Sequence, residues 1–185
     1  MKVEIRRPRI EDSEALNKFF RIVITDTFAG EGLFGLTNDI ENEIESKKMY
    51  LKSDLNSNGE NRYFLIALDD NKIIGTIGYG PVSELIISCT NGELIDLVEI
   101  GTVFVHPEYQ GQGIGNLLLN VMYHTIQTRG IEEFCLDSGY TIAQKIWKKK
   151  FGKPDYLLKD YWGEGFDHMI WRKRINELPI IFKVD

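Results

Sequence analysis

The chain has 185 residues, of which 43% are hydrophobic and 27% charged, and it carries a formal net charge of −6 at pH 7. That length suits one folded domain rather than two, and that composition excludes wholesale disorder. The acidic balance opposes a large phosphate-reading surface, so nucleic acid is not an expected partner, and the local run Lys148-Lys149-Lys150 reads as a solvated helix face.

Residues 3–6 alternate apolar and charged side chains as a strand does, and Pro8 stops that strand before a helix capped by Asp12 or Ser13. The helix is expected to run to about Thr27, with Ala15, Leu16, Phe19, Phe20 and Val23 on one buried face. Gly30, Gly32 and Gly35 loosen the chain into a loop. Asn38 with Glu41 resembles a capping box for a second helix reaching about Leu51. A polar run over 53–61 leads to a strand over 63–68, and Asp69-Asp70-Asn71 turns it into a return strand over 73–79. Gly75 and Gly78 in that strand mark a bulge or a close backbone approach.

Residues 82–94 are ambiguous between a strand and a short helix before the Asn91-Gly92 turn. A strong strand follows over 97–105, ended by Pro107, and then a glycine-rich loop and a helix from near Gly115. That helix buries Leu117, Leu118, Val121, Met122 and Ile126 and stops at Gly130. A short strand over 134–136 precedes a helix over 141–150 whose Ala143, Ile146 and Trp147 are expected inward. Two strands over 156–162 and 168–172, joined through Gly163-Glu164-Gly165, form a terminal hairpin rich in aromatics.

The chemistry lies in Gln110-Gly111-Gln112-Gly113-Ile114-Gly115, between a strand and a helix. Such a loop aims backbone N–H groups and the positive end of a helix dipole at one point, which binds phosphate. Its glycines remove side chains that would hold an anion off the backbone and permit left-handed conformations. The loop lacks the Lys-Ser/Thr of a nucleotide-triphosphate loop, and its glycine spacing fails the dinucleotide fingerprint, which disfavours ATP and NAD.

With its preceding strand, proline and tyrosine, the stretch from Val103 to Gly115 resembles motif A of the GNAT superfamily of N-acetyltransferases, Gln/Arg-x-x-Gly-x-Gly/Ala, matched here by Gln110, Gly113 and Gly115. The order of elements also resembles that family's over nearly the whole chain. The resemblance implies an α/β (α+β) fold in a single acyl-CoA N-acyltransferase-like domain, with a mixed central sheet of about six to seven strands flanked by about four helices. It implies a domain over 1–175 and a C-terminal extension over 176–185. It further implies acetyl-CoA as cosubstrate, its pantetheine arm along the backbone of Val103, Phe104 and Val105. The pyrophosphate falls on the amides of Gln110, Gly111, Gln112, Gly113, Ile114 and Gly115.

Acetyl transfer to an amine needs the ammonium deprotonated, the thioester carbonyl polarised and the departing thiolate accommodated. Glu99 stands on the motif strand where related enzymes carry a glutamate that removes the amine proton. The bland alternative is a strand glutamate facing solvent. The family places a tyrosine acid in a segment resembling Ala-x-x-Leu-Tyr, and this chain departs from it. In Ala143-Gln144-Lys145-Ile146-Trp147 a tryptophan stands there, and an indole cannot supply a proton. Tyr140 is then the candidate acid, or the thiolate leaves unaided, with Trp147 as plain core.

Tyr161 and Trp162 in the terminal hairpin are candidate walls of the acceptor pocket, with Phe28 and Glu31 after the first helix as candidates for the opposite wall, Glu31 holding a cationic group. His106, His124 and His168 show no metal-ligand spacing and no metal is assigned. Cys89 and Cys135 form neither a disulfide framework nor a ligand pair, and Cys135 reads as a buried thiol rather than an acyl carrier. No apolar run approaches the roughly 18 residues of a membrane span and the chain opens without a signal-peptide core, so a cytoplasmic protein without a membrane partner is expected. The acceptor is a small-molecule amine or a peptide amine, and a homodimer is compatible with such a domain. The rival readings are a CoA-binding regulatory domain without catalysis and a module for another phosphate ligand.

Overall fold

A computed structural model describes residues 2–181. Seven strands form a mixed sheet in the order β1-β2-β3-β4-β5-β7-β6, where β1 is Val3–Arg6, β2 Tyr63–Asp69, β3 Lys72–Pro81, β4 Val98–Val105, β5 Glu133–Ser138, β6 Tyr156–Leu158 and β7 His168–Arg174. The long helices are α1 Ser13–Gly30, α2 Thr37–Ser57, α4 Ile114–Thr128 and α5 Thr141–Phe151, and a short α3 spans Glu84–Cys89. The expected sheet size and helix number are both present. No described helix is long and apolar enough to cross a membrane.

The chain forms two compact units, and β4 runs from one into the other between Gly101 and Thr102. The first unit holds residues up to Tyr79, Thr102–Thr125 and the end of the chain from Ile180. There β1 pairs antiparallel with β2, and β2 with β3 from Tyr63↔Tyr79 to Asp69↔Lys72. The hairpin turns on Asp70 and Asn71, both left-handed, at φ 46° and 66°. Two such residues make the turn whose twist matches that of the strands, and Asp and Asn tolerate the conformation. The register shifts opposite Ala67/Leu68, next to Gly75. The core of this unit comprises Leu16, Phe20 and Ile24 of α1, Ile44 of α2, Phe64 and Ile66 of β2, Ile74 and Ile77 of β3, and Leu118 and Met122 of α4.

Two expectations are corrected in this unit. The capping box at Asn38 and Glu41 does not form: α2 starts from Leu36 without a side-chain cap, and Glu41 instead receives two hydrogen bonds from Arg21 of α1. The helix also passes Leu51 and ends at Ser57. Its extra turn is anchored by Asp54, fully buried, which accepts from both Arg7 Nη2 and the backbone N–H of Phe64.

The second unit holds Gly80–Gly101 and Ile126–Pro179. Its β4 segment runs parallel to β5, Val98 opposite Phe134 and Glu99 opposite Cys135, and β7 lies antiparallel to both β5 and β6. Val82, Ile86, Leu94, Cys135 and Ile170 form its apolar cluster. The ambiguous 82–94 segment resolves as α3, capped by Ser83.

The structure ends β6 at Leu158, where a strand to Trp162 was expected, because residues 160–167 close a turn of their own. Asp160 is left-handed, and its carboxylate accepts from Gly165 N–H, while the Asp167 carboxylate accepts from Asp160 N–H. On α5 the buried positions are Gln144 and Trp147, whereas Ile146 is 48% exposed, against its expected inward placement. Gln144 occupies the inner face because its Nε2 donates to the Ser138 and Asp167 carbonyls, which satisfies a buried amide. Ile175, just past β7, is also buried.

Candidate active site

In the first unit β4 leads into a short turn over Pro107–Tyr109, the loop over 110–113, and α4. Thr102 has φ 54°, an unusual value for a β-branched residue inside a strand. Its carbonyl accepts a 2.9 Å hydrogen bond from the buried Thr76 hydroxyl. Backbone outliers that neighbours hold in place concentrate at functional sites. Beyond it Val103, Phe104 and Val105 are half-buried, and His106 N–H donates to Ile74 O at 2.9 Å, tying the strand end to β3.

The loop is folded by its own polar atoms. His106 Nδ1 accepts from Glu108 N–H, Gln110 Nε2 donates to Val105 O, and Gln112 Nε2 donates to Glu108 O. Gly111 and Gly113 are left-handed at φ 73° and 85°, and a Cβ built on either meets nothing within 4 Å. An anion can therefore approach this backbone where a side chain would stand in the way. Leu117 N–H donates to Gly113 O, so the intrahelical hydrogen bonds of α4 begin at the loop, and its first turn presents amide donors there. A Cβ on Gly115 would sit 3.7 Å from Val105 Cγ2. The loop thus fits a pyrophosphate.

Gly75 lets α4 approach β3 closely, since a Cβ there would come within 2.9 Å of Leu118 Cδ1 and 3.1 Å of Ile114 Cγ2. Of the acceptor candidates in this unit, Phe28 is buried and Glu31 is half-buried at the end of α1, its N–H donating to Thr27 O.

In the second unit Glu99 is half-buried on β4, and its Oε2 accepts a 2.7 Å hydrogen bond from Ser83 N–H, the residue whose hydroxyl caps α3. The carboxylate is thereby oriented by a backbone donor rather than swinging in solvent. Cys135, opposite it on β5, is fully buried, and burial, with the Glu99 and Asp137 charges, pushes its thiol up to about 12. Such a thiol is no nucleophile at neutral pH.

Tyr140 is half-buried at the start of α5, its carbonyl accepting from Gln144 N–H and its N–H donating to Ser138 Oγ. Trp147, at the position where the resemblance implies a tyrosine, stacks on Phe151 with centroids 5.7 Å apart. It is packed as core. Tyr161 and Trp162 are 44% and 55% exposed, edge-to-face at 4.9 Å. The Tyr161 hydroxyl is pushed up by its hydrogen bond with Cys89.

Sequence reading missed the partners of these aromatics. Trp162 Nε1 donates to His168 Nδ1, His168 Nε2 lies 3.0 Å from Asp137 Oδ2, and the indole covers Gly139. Trp162 and His168 are six residues apart, but Asp137 lies 31 residues from His168, so no spacing announces the set; the glycine before Tyr140 was a local signal. Among the described residues no group of His, Cys, Asp and Glu is placed to hold a metal.

Solved structures share this fold. The crystal structure of the PaiA N-acetyltransferase from Thermoplasma acidophilum in complex with coenzyme A is similar at a TM-score of 0.67 and 22% identity, over 94% of this chain and 99% of that one. YncA from Salmonella typhimurium with its cofactor acetyl-CoA matches at 0.67 and 14%, over 100% of both chains. The ribosomal-protein-alanine N-acetyltransferase from Brucella melitensis matches at 0.67 and 19%, over 92% and 99%. At these identities the likeness is one of fold. No curated protein matches the sequence. Residues 31–152, well over half of the chain, match the acetyltransferase (GNAT) family. The chain therefore belongs to the acetyltransferase (GNAT) family and is an N-acetyltransferase.

Proposed function

We propose that the protein moves an acetyl group from acetyl-CoA to a primary amine in one direct transfer, and that its domain extends through residue 175. The observation that carries the reading is the loop between β4 and α4, where two left-handed glycines leave the backbone open at a helix start. Similar structures hold coenzyme A or acetyl-CoA. That cosubstrate supplies the acetyl group as an activated thioester.

The amides of Gln110, Gly111, Gln112, Gly113, Ile114 and Gly115 hold the pyrophosphate, and the backbone of Val103, Phe104 and Val105 lines the pantetheine arm. Glu99, fixed by Ser83 N–H, takes the proton that the amine loses as its C–N bond forms. The Tyr140 hydroxyl supplies a proton to sulfur as the C–S bond breaks. Tyr161 and Trp162 wall the acceptor, and Phe28 and Glu31 contribute to its binding, Glu31 through its charge. The acceptor is a small-molecule or peptide amine. The free thiols Cys89 and Cys135 suit a reducing, cytoplasmic setting.

Release of free CoA across a panel of primary amines tests the reading: release above the hydrolysis background supports direct transfer to an amine, and none on any amine removes it. In the active case Glu99→Gln is expected to lower kcat about 100- to 10,000-fold while CoA binding persists. An unchanged kcat removes Glu99 as base.

A further inference from the structure

The turn after β6 contains hydrogen bonds that the transfer described above does not use. His168, at the start of β7, is 3% exposed, with Nδ1 3.1 Å from Trp162 Nε1 and Nε2 3.0 Å from Asp137 Oδ2. An indole N–H can only donate, so Nδ1 must be the accepting nitrogen. The ring proton of the neutral imidazole then resides on Nε2 and is donated to Asp137. The neighbours thus dictate the tautomer.

Trp162 is held from beneath as well. A Cβ on Gly139 would come within 2.6 Å of its Nε1, so the indole lies directly on the backbone that joins β5 to α5. The frame of the turn is fixed independently, by Trp162 N–H to Phe166 O, Phe166 N–H to Gly163 O and Gln144 Nε2 to Asp167 O. Within that frame His168 Nδ1 takes the indole's hydrogen bond, while Tyr161 meets the ring edge-to-face at 4.9 Å.

We infer that His168 is the positioning residue for Trp162: its Nε2–H tautomer holds the indole over Gly139, and protonation of Nδ1 releases it. In the doubly protonated ring an N–H faces the indole N–H, so that bond is lost, while Asp137 still accepts from Nε2. The Trp162 indole faces Nδ1 of the imidazole, and the Asp137 carboxylate on β5 faces Nε2. Tyr161 packs against the ring at 5.6 Å, and the Asp167 carboxylate, next in the chain, is engaged by Asp160 N–H. The consequence for catalysis rests on the reading that Trp162 walls the acceptor pocket: acidification then raises the acceptor KM more than loss of free amine alone does.

The test is the tryptophan emission of the full-length protein from about pH 8 to about pH 5, the range in which imidazoles change charge. Subtracting the trace of Trp162→Phe isolates Trp162 from Trp147 and Trp171. The expected result is a single transition in the Trp162 component that vanishes in His168→Asn, whose amide oxygen still accepts but takes no proton. A flat wild-type trace, or the same transition in His168→Asn, overturns the inference. Asp137→Asn gives a second test should His168→Asn fold poorly: losing the carboxylate destabilises the cation, so the midpoint moves to lower pH. An unmoved midpoint overturns the inference too. Acceptor KM is measured on the same proteins. A His168-dependent emission change without a His168-dependent KM change upholds the positioning role and overturns the acceptor-wall reading.

Discussion

Asp12 shows how much one exposed-looking acid can do. Its carboxylate accepts two hydrogen bonds from the Arg6 guanidinium, at 2.7 and 2.9 Å, and a third from Arg9 N–H at 2.7 Å, and its side chain is 12% exposed. The Arg6 hydrogen bond, opposed by burial and assisted by Arg9 N–H, holds the carboxyl below the usual range. A carboxyl depressed in the folded state contributes stability that is full above its unfolded value of about 3.9 and lost as pH falls through its folded value. Asp12→Asn is therefore expected to lower stability by about 1 kcal/mol at pH 6 and to converge with wild type near pH 2 in urea unfolding. An equal gap at both pH values would sink this account. The sequence proposed Asp12 only as a helix cap; its link to β1 required the fold.

At the scale of elements, the placement of α4 depends on an absent side chain in β3. Gly75→Ala would set a Cβ 2.9 Å from Leu118 and 3.2 Å from Phe104 O, the latter backbone and unable to rotate away. The expected cost is about 1 to 3 kcal/mol of stability, together with weaker CoA binding, because Ile114 opens the helix behind the loop. Gly115→Ala, whose Cβ meets only an ordinary 3.7 Å contact, is expected to keep the melting temperature and lose affinity. Equal stability losses for the two would show that close packing at Gly75 does not distinguish them. Close approach was legible in the sequence as a glycine in a strand, but its partner was not. Helix faces were less legible: Ile146 was assigned inward, and Gln144 took a buried position because the carbonyls of Ser138 and the more distant Asp167 awaited its amide. The extension of α2 past Leu51 likewise followed from Asp54 meeting Arg7 and the start of β2.

For the whole molecule the decisive expectation is linkage between cosubstrate and folding. Ligand that binds only the native state stabilises by about 2.7 kcal/mol at a hundredfold excess over Kd, which raises the melting temperature roughly 5 to 11 °C for a domain of this size. Acetyl-CoA and CoA are expected to do this, and ATP and NAD are not. A shift with ATP alone would favour another phosphate ligand. The order of most elements along the chain, the loop and its helix were determined by the sequence itself, because alternation, helical period and glycine spacing are local properties of the chain. The tertiary structure alone decided which polar groups meet: Ser83 with Glu99, His168 with Trp162 and Asp137, Arg7 with Asp54. Apart from Trp162 and His168, six positions apart, those pairings join residues 16 to 47 positions apart, and burial, which forces each polar atom to find a partner, selects them only once the strands and helices have packed.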